Sequence, residues 1–145
     1  MSNCGVVKHR PKIIDVMTSD PETVHLSQPL SEVYALIQKH DFHHVPVLDG
    51  PKPVGLISAT DILKLVYDVE GLDERMLGTV LDHQFSLQDA MTTDLATVRR
   101  NDDIRAVIDA MASGAIHSVL VVDDDGHLEG IVTSTDLIRQ LGELL

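Results

Sequence analysis

The stretch Gly55-Leu56-Ile57-Ser58-Ala59-Thr60-Asp61-Ile62-Leu63 returns later in the chain as Gly130-Ile131-Val132-Thr133-Ser134-Thr135-Asp136-Leu137-Ile138. Each copy runs from a glycine through two aliphatic residues to a hydroxyl residue, then to a Thr-Asp pair and two more aliphatic residues. The likeness extends outward. Asp15 to Asp49 aligns without a gap on Asp89 to Asp123. Asp15-Val16-Met17-Thr18-Ser19-Asp20 thus answers to Asp89-Ala90-Met91-Thr92-Thr93-Asp94, Thr23-Val24 to Thr97-Val98, and His43-His44-Val45-Pro46-Val47 to His117-Ser118-Val119-Leu120-Val121. The second copy gains a single residue in the turn between the two aligned blocks. Self-similarity on this scale marks a duplicated supersecondary unit that cannot bury its apolar face alone.

Periodicity gives both copies the same elements. Leu30, Val33, Tyr34 and Ile37 recur at i, i+3, i+4 and i+7, as do Ile104, Val107, Ile108 and Met111, which is the spacing of one apolar helix face. Ser27 and Asn101 are the expected N-caps, with Pro29 accommodated near the first turn. Two β-rich runs follow in each copy. Val45 to Leu48 and Val54 to Ile57 flank Asp49-Gly50-Pro51-Lys52-Pro53, whereas Val119 to Val122 and Leu128 to Val132 flank Asp123-Asp124-Asp125-Gly126, so each pair reads as a hairpin. Second helices are expected from about Thr60 to Tyr67 and about Thr135 to Gly142.

The chain is therefore read as α/β, of the α+β type, with two tandem β-α-β-β-α repeats packed as a pseudo-two-fold module. The expected divisions are a flexible tail at 1–12, a first repeat at 13–68, a linker at 69–86 with a short helix around Leu72 to Leu81, and a second repeat at 87–145.

Composition removes several classes of function. Among 145 residues, 11 Lys and Arg stand against 23 Asp and Glu, a net charge of −12 that repels a phosphate backbone; nucleic acid is not an expected partner. The dense basic cluster Lys8-His9-Arg10 with Lys12 falls in the tail. No apolar run approaches the roughly 20 residues of a membrane span, and the N-terminus lacks the apolar core of a signal peptide. A single cysteine, Cys4, excludes an internal disulfide and fits a cytoplasmic location.

Ser58 and Thr60, with their counterparts Thr133 and Thr135, stand where an apolar strand passes into a helix. Hydroxyls and unpaired backbone N–H groups at such a junction accept an anion, and Asp61 and Asp136 add acceptor oxygens beside it. A phosphate gripped by hydroxyls and amides, with a carboxylate on two vicinal ribose hydroxyls, suits this set. The same residues also read as ordinary N-caps and first-turn acids.

With these blocks in view, the closing motifs Gly55 to Leu63 and Gly130 to Ile138 resemble that of the CBS domain, named after cystathionine β-synthase. His43 to Asp49 and the openings Met17-Thr18 and Met91-Thr92 match as well, so the resemblance runs from about residue 13 to 143. A free-standing tandem pair, or Bateman module, is implied, and with it a regulatory adenosine-ligand sensor taking AMP, ADP, ATP or S-adenosylmethionine in clefts between the repeats. By position, Asp61 and Asp136 would hold ribose, and Ser58, Thr60, Thr133 and Thr135 would face ribose or phosphate. Phe42, His43, His44 and Val45, with Ile116, His117, Ser118 and Val119, would wall the adenine. The openings around Thr18 to Thr23 and Thr92 to Thr97 would each close the other repeat's cleft. The resemblance further implies a homodimer, and the chain is expected to act on a separate effector protein.

Leu120 stands where the first repeat has Pro46, which makes the two clefts related but unequal. Basic residues near them are few, Arg99 and Arg100 being the nearest by position, so an AMP-like ligand is favoured over ATP, and Mg enters only with a polyphosphate nucleotide. No dedicated metal site is read from the spacing of His40, His43 and His44, nor from Asp123-Asp124-Asp125-Gly126, whose carboxylates are adjacent rather than alternating. Neither a Gly-rich phosphate loop nor a nucleophile elbow is present, and the chain is not expected to be an enzyme. The alternative from a different class is a ligand-free protein-interaction and dimerisation module acting as a regulatory subunit.

Overall fold

The structure, a computed structural model, describes residues 11–40, 44–67, 69, 71, 73–114 and 116–144. In chain order the elements are α1 (Ile13–Val16), β1 (Thr18–Ser19), β2 (Val24–His25), α2 (Leu30–His40), β3 (Val45–Asp49), β4 (Lys52–Ile57), α3 (Ala59–Val66), α4 (Glu74–Gln84), α5 (Leu87–Ala90), β5 (Thr97–Val98), α6 (Ile104–Met111), β6 (Ser118–Val122), β7 (Leu128–Thr133) and α7 (Ser134–Leu144). Each copy thus carries the expected β-α-β-β-α order, preceded by a four-residue helix too short to show a periodicity. Most of the tail, with Cys4, and the histidine and aromatic pair Phe42 and His43 lie outside the described residues.

The chain forms two compact units, Pro21–Leu95 and a two-segment unit of Met1–Asp20 with Ala96–Leu145. The opening of each repeat therefore belongs to the unit that holds the other repeat's hairpin. In the two-segment unit the sheet order is β1-β7-β6-β5, with β1 antiparallel to β7, and Thr18 lies opposite Ile131. In the other unit the order is β2-β3-β4, and Thr92 bridges antiparallel to Leu56 at the matching register through hydrogen bonds of 2.8 and 2.9 Å.

Glycine makes this approach feasible. A Cβ on Gly130 would stand 2.8 Å from both Met17 Sδ and the Thr18 carbonyl oxygen, and a Cβ on Gly55 would collide with the Met91 side chain. A methionine from each opening therefore lies on a glycine that carries no side chain.

The apolar pattern fills two cores. Val24, Leu30, Val33, Ile37, Val45, Val47, Ile57 and Ile62 form the first, joined by Leu81 and Leu87; Ile13, Val107, Val119, Val121 and Val132 form the second. β6 is buried along its whole length, in keeping with its unbroken apolar run. Ile108, expected on the buried face of α6, is 43% exposed, because a helix of eight residues turns only Ile104 and Val107 fully inward.

Both expected N-caps are corrected. Asp103, not Asn101, caps α6, its side chain accepting from the Arg105 amide. Ser27 instead bonds His25 Nδ1, and the start of α2 is capped from a distance: Asp82 on α4 accepts from the Ser31 amide at 2.9 Å and from Ser31 Oγ at 2.6 Å. The segment between the repeats is thus helical over Glu74–Gln84, where a helix around Leu72 to Leu81 is expected, Leu72 lying outside the described residues, and it is built into the first core through Leu81.

The substitution of Pro46 by Leu120 has a measurable effect on the ladder. Leu120 N–H donates to the Ala96 carbonyl at 3.0 Å, and β5 begins pairing at Thr97 opposite Leu120. Proline has no N–H to offer, and the matching ladder begins one residue later, at Val24 opposite Val47. Both hairpins carry a register shift at equivalent places, after Val47 and after Val121, so the added residue lies in the turn.

In that turn Asp123 Oδ1 accepts from the amides of Asp125 and His127, both at 2.9 Å, and the His127 amide above all holds the Asp123 pKa below its ordinary value. A lowered pKa in the folded state means stabilisation that is present above the unfolded carboxylate pKa and is lost as pH falls through the folded one. In an NMR titration the Asp123 carboxyl is expected to titrate below the ordinary Asp range, with the Asp125 and His127 amide shifts following it; a midpoint at or above that range would contradict the turn geometry. Gly130→Ala is expected to lower stability by about 1–3 kcal/mol in chemical denaturation. Gly142→Ala in α7, where an added Cβ meets nothing within 4 Å, is expected to leave stability unchanged or raised.

Candidate functional site

Both candidate centres are strand-to-helix junctions. β4 ends at Ile57, Ser58 remains extended, and α3 begins at Ala59. Ser58 Oγ accepts from the Asp61 amide at 3.2 Å, while Asp61 Oδ2 accepts from the Ser58 amide at 2.8 Å and from Ser58 Oγ at 2.9 Å. This is a capping box closed by a short carboxylate. Thr133 and Asp136 repeat it with bonds of 2.9, 3.1 and 3.3 Å. Helix capping, the plainer reading of these residues, is therefore realised in both copies, and it engages one oxygen of each carboxylate.

The second oxygen separates the copies. Asp136 Oδ1 accepts from Arg139 Nη1 at 3.2 Å and from Thr18 Oγ1 at 3.5 Å, and the residue is only 6% exposed. Among the described residues nothing donates to Asp61 Oδ1, and Asp61 is half-buried. Thr60 and Thr135 stand exposed in the first helical turns, where backbone N–H groups have no intrahelical acceptor.

The remaining candidates divide between core and surface. Val45 and Val119 are fully buried in their cores, so only their backbone remains for a ligand. Ile116 packs partly against the second core, His117 is exposed with its carbonyl accepting from the Ser134 amide, and His44 is half-buried just before β3. Thr18 reaches Asp136, while Thr92 is held by its backbone at Leu56 with its side chain exposed. Thr23 is half-buried beside β2 and Thr97 exposed in β5.

Ser118 is the unusual member. It is 7% exposed, and its hydroxyl has no hydrogen-bond partner among the described residues. It lies directly opposite Thr133 in the β6–β7 ladder, so the two side chains share a face of the sheet beside the Asp136 cap. A buried hydroxyl without a partner carries a cost of about 1–3 kcal/mol, which a bound polar group would relieve.

The nearest charges are not those that position in the sequence favours. Arg99 pairs with Asp124, and Arg100 with Glu129 at 3.6 Å, both at the hairpin turn side of the two-segment unit. Arg139, three residues after Asp136 on the same helix face, is the cation at a candidate carboxylate; i, i+3 spacing is the signal that reveals it. Sequence spacing also omits His127, which comes within 4.8 Å of Asp123 and Asp125. Asp123 Oδ1 is already bonded to two turn amides, so this cluster is accounted for by the hairpin.

Among the described residues no helix is long and apolar enough to cross a membrane. Comparison with known proteins places the repeats in a family. The CBS domain model matches residues 13–68 and 87–143. Homoserine O-acetyltransferase from Methanocorpusculum labreanum is 31% identical over 132 residues, and L-aspartate semialdehyde sulfurtransferase from Methanocaldococcus jannaschii is 28% identical over 129. These matches cover 90% and 88% of this chain but 24% and 23% of those proteins, so the chain spans about a quarter of the length of these two relatives. Among solved structures, the CBS domain pair of protein MJ0100 in complex with 5′-methylthioadenosine and S-adenosyl-L-methionine is similar with a TM-score of 0.78 at 26% identity, covering 94% of this chain and 100% of that one. CBSX2 in complex with AMP shares the fold with a TM-score of 0.77 at 22% identity, covering 92% and 98%. The doubled strand-to-helix carboxylate and the two matched segments agree, and the chain belongs to the CBS domain family.

Proposed function

We propose that this chain is a non-enzymatic regulatory module that senses an adenosine ligand, AMP-like or S-adenosylmethionine. The observation that carries the reading is the Asp61 carboxylate, one oxygen fixed by Ser58 and the other without a donor among the described residues. A carboxylate held in that way offers acceptors to the vicinal hydroxyls of a ribose. The Ser118 hydroxyl beside the matching Thr133 supplies a second unsatisfied polar group in the other repeat. The likeness to a CBS domain pair in complex with two adenosine compounds supports the same ligand class. With Arg99 and Arg100 paired elsewhere, a ligand of low negative charge fits better than ATP, and Mg accompanies only a polyphosphate.

Signalling in this reading follows from differential affinity: the ligand favours one geometry of the repeats or of a dimer, and a separate effector protein reads the change in the cytoplasm. A second reading, a dimerisation or docking module without a ligand, draws on the exposed apolar side chains of Leu63 and Tyr67 at α3 and of Ile138 and Leu141 on α7, with Tyr67 87% exposed. The homodimer belongs to both readings.

Calorimetry separates them. The expected outcome is saturable binding of AMP or S-adenosylmethionine, with ATP weaker. Neither heat nor thermal shift with any of the three at millimolar concentration would leave the interaction module as the better account. Asp61→Ala and Asp136→Ala are each expected to remove about 1–3 kcal/mol from one site. Unchanged binding in both would refute the ribose assignment.

A further inference from the structure

We infer that Arg139 is a specificity-determining residue that makes the two ligand carboxylates unequal, so that the Asp61 site fills first and the Asp136 site opens only when Arg139 withdraws. The inference rests on the adenosine reading and deepens it, because it assigns an order of occupancy. In the first repeat Asp61 keeps one oxygen open, and Lys64, which matches Arg139 in position, forms no ion pair with it among the described residues. In the second repeat the same oxygen is taken from within, by Arg139 Nη1 at 3.2 Å and Thr18 Oγ1 at 3.5 Å. A ribose reaching for Asp136 therefore competes with a group that the chain itself supplies.

The identity of the cation matters. A guanidinium presents fixed N–H donors that reach back along the helix to a carboxylate three residues earlier, whereas an ammonium on a flexible stem is held less well. Asp136 is 7% exposed at its side chain and Arg139 66% exposed. The pair thus has one buried and one solvent-facing partner, which suits a contact made to be released. Solvent screening on the arginine side limits the effect to about 5-fold in affinity.

The test uses 5′-methylthioadenosine, whose lack of charge removes any direct attraction to Arg139, and two backgrounds that each keep one carboxylate. The Asp136→Asn protein, retaining the first-repeat site, is expected to bind more tightly than the Asp61→Asn protein. Adding Arg139→Met to Asp61→Asn is expected to tighten binding about 5-fold, and adding Lys64→Arg to Asp136→Asn to weaken it. In the ligand-free parent, the Arg139 guanidinium NMR signals are expected to move on Asp136→Asn and to stay in place on Asp61→Asn.

Equal affinities in the two backgrounds, or Arg139→Met that leaves binding unchanged or weakens it, would overturn this inference alone. Guanidinium signals indifferent to Asp136→Asn would overturn it without reference to any ligand. If the parent binds none of AMP, S-adenosylmethionine and 5′-methylthioadenosine, the adenosine reading falls and takes the order of occupancy with it.

Discussion

The contact of each opening methionine with a bare glycine is the constraint on which the arrangement rests. Met17 lies on Gly130 and Met91 on Gly55, and in each case the backbone beside the methionine bonds to the hairpin strand. A side chain at Gly130 would press on the Thr18 carbonyl and push the opening from its strand, and one at Gly55 would displace the Met91 side chain. With the glycines in place, the opening becomes an added edge to the hairpin, and Thr18 arrives within reach of Asp136. The candidate site in the two-segment unit therefore depends on a backbone approach made beside Thr18 itself.

Capping and the proposed recognition draw on the same atoms. The hydroxyl and carboxylate that end a strand and start a helix also orient that carboxylate, since its bonds to the Ser58 or Thr133 amide and hydroxyl fix the direction of the remaining oxygen. A rotatable acid in solvent would have to be ordered on binding; these are ordered by the fold. The structural explanation of the Thr-Asp pairs and the proposed ligand-binding one are thus not rivals, because the cap is what orients the acid.

The elements that repeat in the sequence were legible in it, for reasons of period and composition. Alternating and continuous apolar runs placed β3, β4, β6 and β7 within a residue or two, and the i, i+3, i+4, i+7 spacing located α2 and α6. The features that sequence did not reveal are contacts across distance. Asp82 caps α2 from a helix about fifty residues later, which no local motif can announce, and Asp103 outcompetes Asn101 because the helix starts two residues further on. The candidate site was read in the sequence as a set of residue types, and the different surroundings of its two carboxylates were not. Pro46 against Leu120 alters a strand ladder, while the difference at the carboxylates comes from Arg139 and Thr18.

The exchange of openings also bears on how the chain is made. β1 leaves the ribosome among the first described elements, yet its partner β7 is among the last, and the whole of the Pro21–Leu95 unit is synthesised between them. That unit holds all its own segments in one continuous stretch and can fold while the chain is still growing. The other unit must wait, its first segment held open until the final hairpin closes over it, which makes its long-range pairing the slow and exposed step of folding.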